Sequence, residues 1–140
     1  MILSVYTDGA SRGNPGPRSI GVVICNDRGD IIHTHGELKG NGTNNTAEYE
    51  AIISGLLEVK QYNPAVVAIH SDSQVVIRQL NRMYQVRDSK LKALYAQTQV
   101  LLDTYFLGTG VVFNHVPRTH EMIQEADRIC NCVLDGVPFK

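Results

Sequence analysis

Residues 31–59 read IIHTHGELKGNGTNNTAEYEAIISGLLEV, and the structural period changes inside them. Ile31 to Glu37 reads as a strand, in which side chains repeat every two residues, whereas Ala47, Ala51, Ile52, Leu56 and Val59 recur at the 3.6-residue spacing of one helical face. Gly40-Asn41-Gly42 separates the two patterns, and Thr43 to Thr46 supplies side-chain oxygens suited to capping the first helical turn. A strand therefore hands over to an amphipathic helix within this one stretch.

Toward the N-terminus, Leu3 to Thr7 and Ile20 to Cys25 give two more strands. Gly13-Asn14-Pro15-Gly16-Pro17 is expected to stay outside any ladder, because proline lacks the donor and glycine favours bends, and Asp27-Arg28-Gly29-Asp30 reads as a hairpin turn. Toward the C-terminus, Pro64 closes the helix. Ala65 to His70 (AVVAIH) is then almost wholly apolar, as expected of an interior strand covered on both faces. A short helix from Ser73 to Leu80, a longer one from Leu91 to Tyr105, a strand Gly110 to His115 and a last helix from Ile123 to Leu134 follow. The order βββαβααβα predicts an α/β fold, a single domain over residues 1–140 with a five-stranded mixed sheet and helices on both faces.

Composition agrees with one globular domain: 140 residues, 43% hydrophobic and 19% charged, exclude a disordered chain. No apolar run approaches the ~20 residues of a membrane helix, and MILSVYTDG lacks the regions of a secretory signal, so a cytoplasmic protein is expected. Cys25, Cys130 and Cys132 are an odd set without metal-type spacing, which argues for reduced thiols. Net charge is −1, so a polyanion partner has to be recognised locally. The best local excess is Arg78, Arg82, Arg87, Lys90 and Lys92 against Asp88, which reads equally as a solvated face or as phosphate contacts.

Four acids stand at places where this topology gathers side chains. Asp8 follows the first strand, and Asp72 follows AVVAIH at a βα junction, where open α/β sheets hold ligands. A right-handed crossover through the intervening helix makes those strands parallel neighbours. Glu48 is expected in the first turn of its helix and Asp127 early in the last one. Taken singly, each has a plain structural use: Asp8 as a turn cap, Glu48 as a capping-box acid, Asp72 as an N-cap, Asp127 as a dipole partner. Taken together, four converging carboxylates repel unless cations bind, and oxygen donors beside a phosphate suit magnesium.

The same segments resemble ribonuclease H of type 1. Thr7-Asp8-Gly9-Ala10 with Arg12-Gly13-Asn14-Pro15-Gly16-Pro17 is similar to its first motif and Thr43-Asn44-Asn45-Thr46-Ala47-Glu48 to its second. Ser71-Asp72-Ser73-Gln74 is similar to the third, and His115-Val116-Pro117-Arg118 followed by Glu125-Ala126-Asp127 to the fourth. The resemblance implies the ribonuclease H-like fold and a monomer that hydrolyses the RNA strand of RNA/DNA hybrids. It implies two Mg²⁺ ions held by Asp8, Glu48, Asp72 and Asp127, with Mn²⁺ able to substitute, and products with 5′-phosphate and 3′-hydroxyl ends. Asn14, Asn45 and Gln74 match hybrid-contacting positions, Arg12 stands within the first motif, and His120 is the candidate for the histidine that assists proton transfer or product release. The chain has no tryptophan and only Asn81 to Lys92 where longer members carry a basic protrusion, so Arg82, Arg87 and Lys90 become the candidate phosphate contacts.

Overall fold

In the computed structural model, which describes residues 1–140, the meander is present and its strands outrun their apolar cores. Strands β1 (Ile2–Ser11), β2 (Gly16–Cys25) and β3 (Ile31–Gly42) pair antiparallel in chain order. β1 does not stop at Thr7, because its partners continue: Asp8 faces Gly21 and Ser11 faces Arg18. Asp8 is therefore a mid-strand residue. Gly16 and Pro17, expected in the turn, instead open β2. Proline is tolerated in the first residues of a strand, and the Pro17 carbonyl still accepts a bond from the Arg12 N–H at 2.8 Å.

Helix α1 (Asn44–Val59) starts with a capping box built from Thr43 and Thr46, and a single 3₁₀ turn (Lys60–Tyr62) follows it. The chain returns as β4 (Val66–Ser71), parallel to β1, then runs through α2 (Gln74–Leu80), α3 (Ser89–Tyr105), β5 (Gly110–His115) and α4 (Glu121–Asp135). The sheet order is β3-β2-β1-β4-β5, with β5 parallel to β4. This is the five-stranded mixed sheet of the ribonuclease H-like arrangement, with the element order expected.

Its two faces are covered unequally. On one, Leu3, Val5, Val22 and Ile69 pack under Tyr49, Ile52 and Leu56 of α1, and the cluster extends to α2 and α3. Each fully buried aliphatic side chain there contributes about 1.5–3 kcal/mol. On the other, Val23 and Cys25 meet Ala126 and Ile129 of α4. Because α4 lies across β1, β2 and β3, the β4 strand is not covered on both faces as expected: Val67, Ile69 and Ser71 are buried, but Val66, Ala68 and His70 are only half-buried. That uncovered flank is where the crevice opens.

Two glycines seat the helices. A Cβ on Gly9 would lie 2.3 Å from the Ala47 carbonyl carbon, and a Cβ on Gly21 would lie 2.3 Å from the Ala126 carbonyl oxygen. Neither position holds a larger residue without moving a helix, since no backbone approaches a Cβ that closely.

Candidate metal centre

Each seated helix delivers an acid beside Asp8. Gly9 admits the turn of α1 that carries Ala47 and Glu48, and Gly21, the β2 partner of Asp8, admits the turn of α4 that carries Ala126 and Asp127. Both acids lie one turn deeper in their helices than expected. Glu48 is the fifth residue of α1, so it is no capping-box acid, and the first-turn acid of α4 is Glu121 rather than Asp127.

Glu48 is buried and held by two donors. Its Oε1 accepts from the Gly9 N–H at 2.6 Å, and its Oε2 accepts from the Ser71 hydroxyl at 3.2 Å. Asp72 stands between β4 and α2, whose N-cap is Ser73, accepting from the Val76 N–H at 3.4 Å; this leaves the Asp72 carboxylate free of a capping duty. Asp8 is 3% exposed. One oxygen from each of Asp8, Glu48 and Asp72 falls within 4.8 Å of the other two. Asp127 is outside that group of three and lines the same cleft of about 400 Å³, with Asn45, Ser73 and Arg118. Its carboxylate also accepts from the Asn131 side-chain amide at 3.3 Å.

Crowding this many carboxyls raises their proton affinity. Asp8 is pushed up to about 10, by burial first and then by the charges of Glu48, Asp72 and Asp127. Glu48 is raised to about 7, by burial and then Asp72, with the Gly9 N–H and the Ser71 hydroxyl opposing the rise. The Cys130 thiol behind them is likewise pushed up by burial and then by Asp8, and its Sγ–H donates to the Asp8 carbonyl oxygen at 3.2 Å. An all-oxygen donor set that is costly to ionise by itself fits a hard divalent cation.

The linkage has a definite sign. A carboxyl whose folded value lies above its unfolded value stabilises the fold below the unfolded value and loses that contribution as pH rises through the folded one. In a chelator, the melting temperature is therefore expected to fall between about pH 5 and pH 9, through the ranges of Glu48 and then Asp8. Calorimetric scans across that interval check it; a melting temperature that rises instead contradicts the assignment.

The other residues expected at the site divide into those near the acids and those turned away from them. Asn45 lines both the acid cleft and an adjoining groove that holds Asn14, Asp88 and Lys90. The Asn14 side-chain oxygen accepts from the Asn44 N–H at 3.1 Å, tying the β1–β2 loop to the start of α1. Gln74 is exposed at the start of α2 and does not line the cleft. Arg12 turns away to Asp135 at 2.5 Å. Arg82 and Arg87 are exposed on the segment between α2 and α3. His120 is absent from the cleft lining: it is the N-cap of α4, its Nδ1 accepting from the Met122 N–H at 3.1 Å.

Arg118, the last residue of the His115 to Arg118 segment of the fourth motif, lines the cleft although no role attaches to it in the sequence. Its Nε stands 3.4 Å from Asp72 Oδ2, and its side chain is 83% exposed at the cleft mouth. So open an ion pair adds little stability. The signal for Arg118 in the sequence is its place at the end of that segment, a cation in the turn between the last strand and the helix of the fourth acid.

A family model described as reverse transcriptase-like matches residues 6–133. Ribonuclease HI of Halobacterium salinarum is 36% identical over 133 residues, covering 95% of this chain and 64% of that protein. A bifunctional protein of Mycobacterium tuberculosis is 32% identical over 137 residues, covering 97% of this chain and 36% of that protein. The chain thus spans only part of the length of these curated relatives. Among solved structures, RNase H1 from the halophilic archaeon Halobacterium salinarum superposes with a TM-score of 0.89 at 33% identity, covering 98% of this chain and all of that one. LC11-RNase H1 in complex with an RNA/DNA hybrid gives 0.88 at 33% identity, covering 96% and 97%.

Proposed function

This chain belongs to the reverse transcriptase-like family of ribonuclease H domains, and from that premise we propose that it is a hydrolase cutting the RNA strand of RNA/DNA hybrids. The reaction is endonucleolytic and uses two Mg²⁺ ions, leaving 5′-phosphate and 3′-hydroxyl ends. The observation that carries this reading is the convergence of acid oxygens from β1, α1 and the end of β4 beside an asparagine-lined groove.

Asp8, Glu48, Asp72 and Asp127 would hold the ions, which when bound supply an activated water and stabilise the leaving 3′ oxygen. The chain's own contribution is to set the charges beforehand. The Gly9 N–H and the Ser71 hydroxyl fix both Glu48 oxygens, so little reorganisation is left for the moment of binding. Asp8 and Glu48 release protons as cations enter, so cation affinity rises with pH. Asn45 bridges the acid cleft and the groove, where its amide can donate to and accept from a 2′-hydroxyl. Lys90 lines that groove beside Asn14, placed to meet a phosphate, and the exposed Arg118 guanidinium offers a second such contact. Free thiols at Cys25, Cys130 and Cys132 suit work in the cytoplasm, as a monomer.

The test is incubation with Mg²⁺ and labelled RNA/DNA hybrid, RNA duplex or DNA duplex. Cutting confined to the RNA of the hybrid supports the reading; cutting of the DNA duplex points instead to a DNA-directed nuclease. Replacing Arg82, Arg87 and Lys90 together with Ala is expected to raise KM about tenfold while kcat stays within about twofold, with a shallower salt dependence. An unchanged KM removes this segment from the binding surface.

A further inference from the structure

Below the acids lies a stack of three rings. The Tyr6 ring centroid is 4.5 Å from that of His70, with 15° between the planes, and 4.9 Å from that of His120, with 28° between them. The three rings come from three separate segments. Each also carries a residue of the acid cleft two positions away: Asp8 after Tyr6, Asp72 after His70, and Arg118 before His120.

The location matters for the strand pair. Tyr6 and His70 form the last rung of the parallel β1–β4 ladder, and no backbone pairing joins the strands at the level of Asp8 and Asp72. Asp8 shares a face of β1 with Tyr6, and Asp72 stands two residues past His70 just beyond the end of β4, so a ring contact at the last rung bears on the spacing of both carboxylates. His120 adds the third segment, because its Nδ1 caps α4 while its ring rests on Tyr6.

His70 supplies an independent sign. Both of its ring nitrogens are buried without a hydrogen-bond partner. An imidazole left unpaired costs desolvation energy that an aliphatic side chain would not, and the ring lies face to face with Tyr6.

We propose that Tyr6, clamped between His70 and His120, is a positioning residue that holds Asp8, Asp72 and the Arg118 turn at the separation the metal centre needs. The proposal rests on the nuclease reading above. It also gives His120 a structural part, as helix cap and stacking partner, in place of proton transfer.

The experiment compares wild type, Tyr6→Phe, Tyr6→Leu, His70→Leu and the Leu/Leu double variant. Two readouts are taken: the Mg²⁺ concentration at the midpoint of the melting-temperature rise, and kcat and KM on hybrid. Tyr6→Leu keeps an apolar side chain and removes the flat ring. It is expected to raise the Mg²⁺ midpoint about fivefold and lower kcat about tenfold, with KM within about twofold. Tyr6→Phe keeps the ring and should stay within about twofold of wild type on both readouts. The double variant should be no worse than Tyr6→Leu alone, since both changes dissolve one stack.

Should Tyr6→Leu prove unstable, His120→Asn serves in its place: asparagine caps a helix and cannot stack as imidazole does, so the same rise in midpoint is expected. A wild-type Mg²⁺ midpoint and kcat in Tyr6→Leu or in His120→Asn, or fully additive losses in the double variant, would overturn the proposal. If wild type itself binds Mg²⁺ but cuts no hybrid, the nuclease reading fails while the midpoint comparison still stands as a test of the stack.

Discussion

Asp8→Asn is expected to lose at least about a thousandfold in Mg²⁺-dependent cleavage while gaining thermal stability in a chelator. Both effects have one origin. Asp8 is almost fully buried, and its neighbours Glu48, Asp72 and Asp127 make its ionisation costly. Asparagine is neutral at every pH, so the variant escapes the cost of keeping Asp8 protonated in the metal-free fold, and its advantage over wild type widens as pH rises from about 5 toward about 10. The same substitution removes a carboxylate from the group of three close acid oxygens, so cations lose one of their ligands. Steady-state cleavage and metal-free melting, measured on the same preparation, check the pair of outcomes. Retained cleavage, or a drop in metal-free stability, would show that Asp8 is a structural acid.

Gly9→Ala is expected to cost about 1–3 kcal/mol of stability and at least tenfold in kcat, with a single methyl group responsible. That methyl would stand 2.3 Å from the Ala47 carbonyl carbon and 2.6 Å from the Glu48 backbone nitrogen, so α1 has to lift from β1. The bond from the Gly9 N–H to Glu48 Oε1 stretches as it does, and Glu48 leaves the group of three oxygens. Gly21→Ala acts on the opposite face, where the methyl meets the Ala126 carbonyl oxygen at 2.3 Å and displaces the turn of α4 that carries Asp127. Chemical denaturation and kcat measured for each variant read the two effects together. A Gly9→Ala protein with unaltered stability and activity would mean that α1 reaches Glu48's position by some other route.

Much of this arrangement is legible in the residues. The shift of period between β3 and α1 locates the meander and the first crossover, and the acids beside Gly9 and Ser73 stand just past the end of the β1–β4 ladder that the crossover builds. What escapes depends on partners distant in sequence. β1 runs on to Ser11 because β2 continues beside it, a matter of pairing that the expected strand Leu3 to Thr7 does not report. AVVAIH reads as doubly covered, but α4 packs across β1, β2 and β3, seated closely at Gly21, and leaves β4 without a helix on that face. His120 matches a functional place in a motif, while its capping bond to Met122 and its contact with Tyr6 arise only when the turn from Pro117 closes. Arg12 finds Asp135, 123 positions away, for the same reason.

The sharpest measurement is the melting temperature of the wild-type protein at about pH 8 as Mg²⁺ is raised from zero to about 10 mM, with Asp8→Asn alongside. A steady rise in the wild type, absent or much reduced in the variant, is the expected result. A wild-type curve that stays flat across that range would contradict a pocket whose acids are gathered to hold divalent ions.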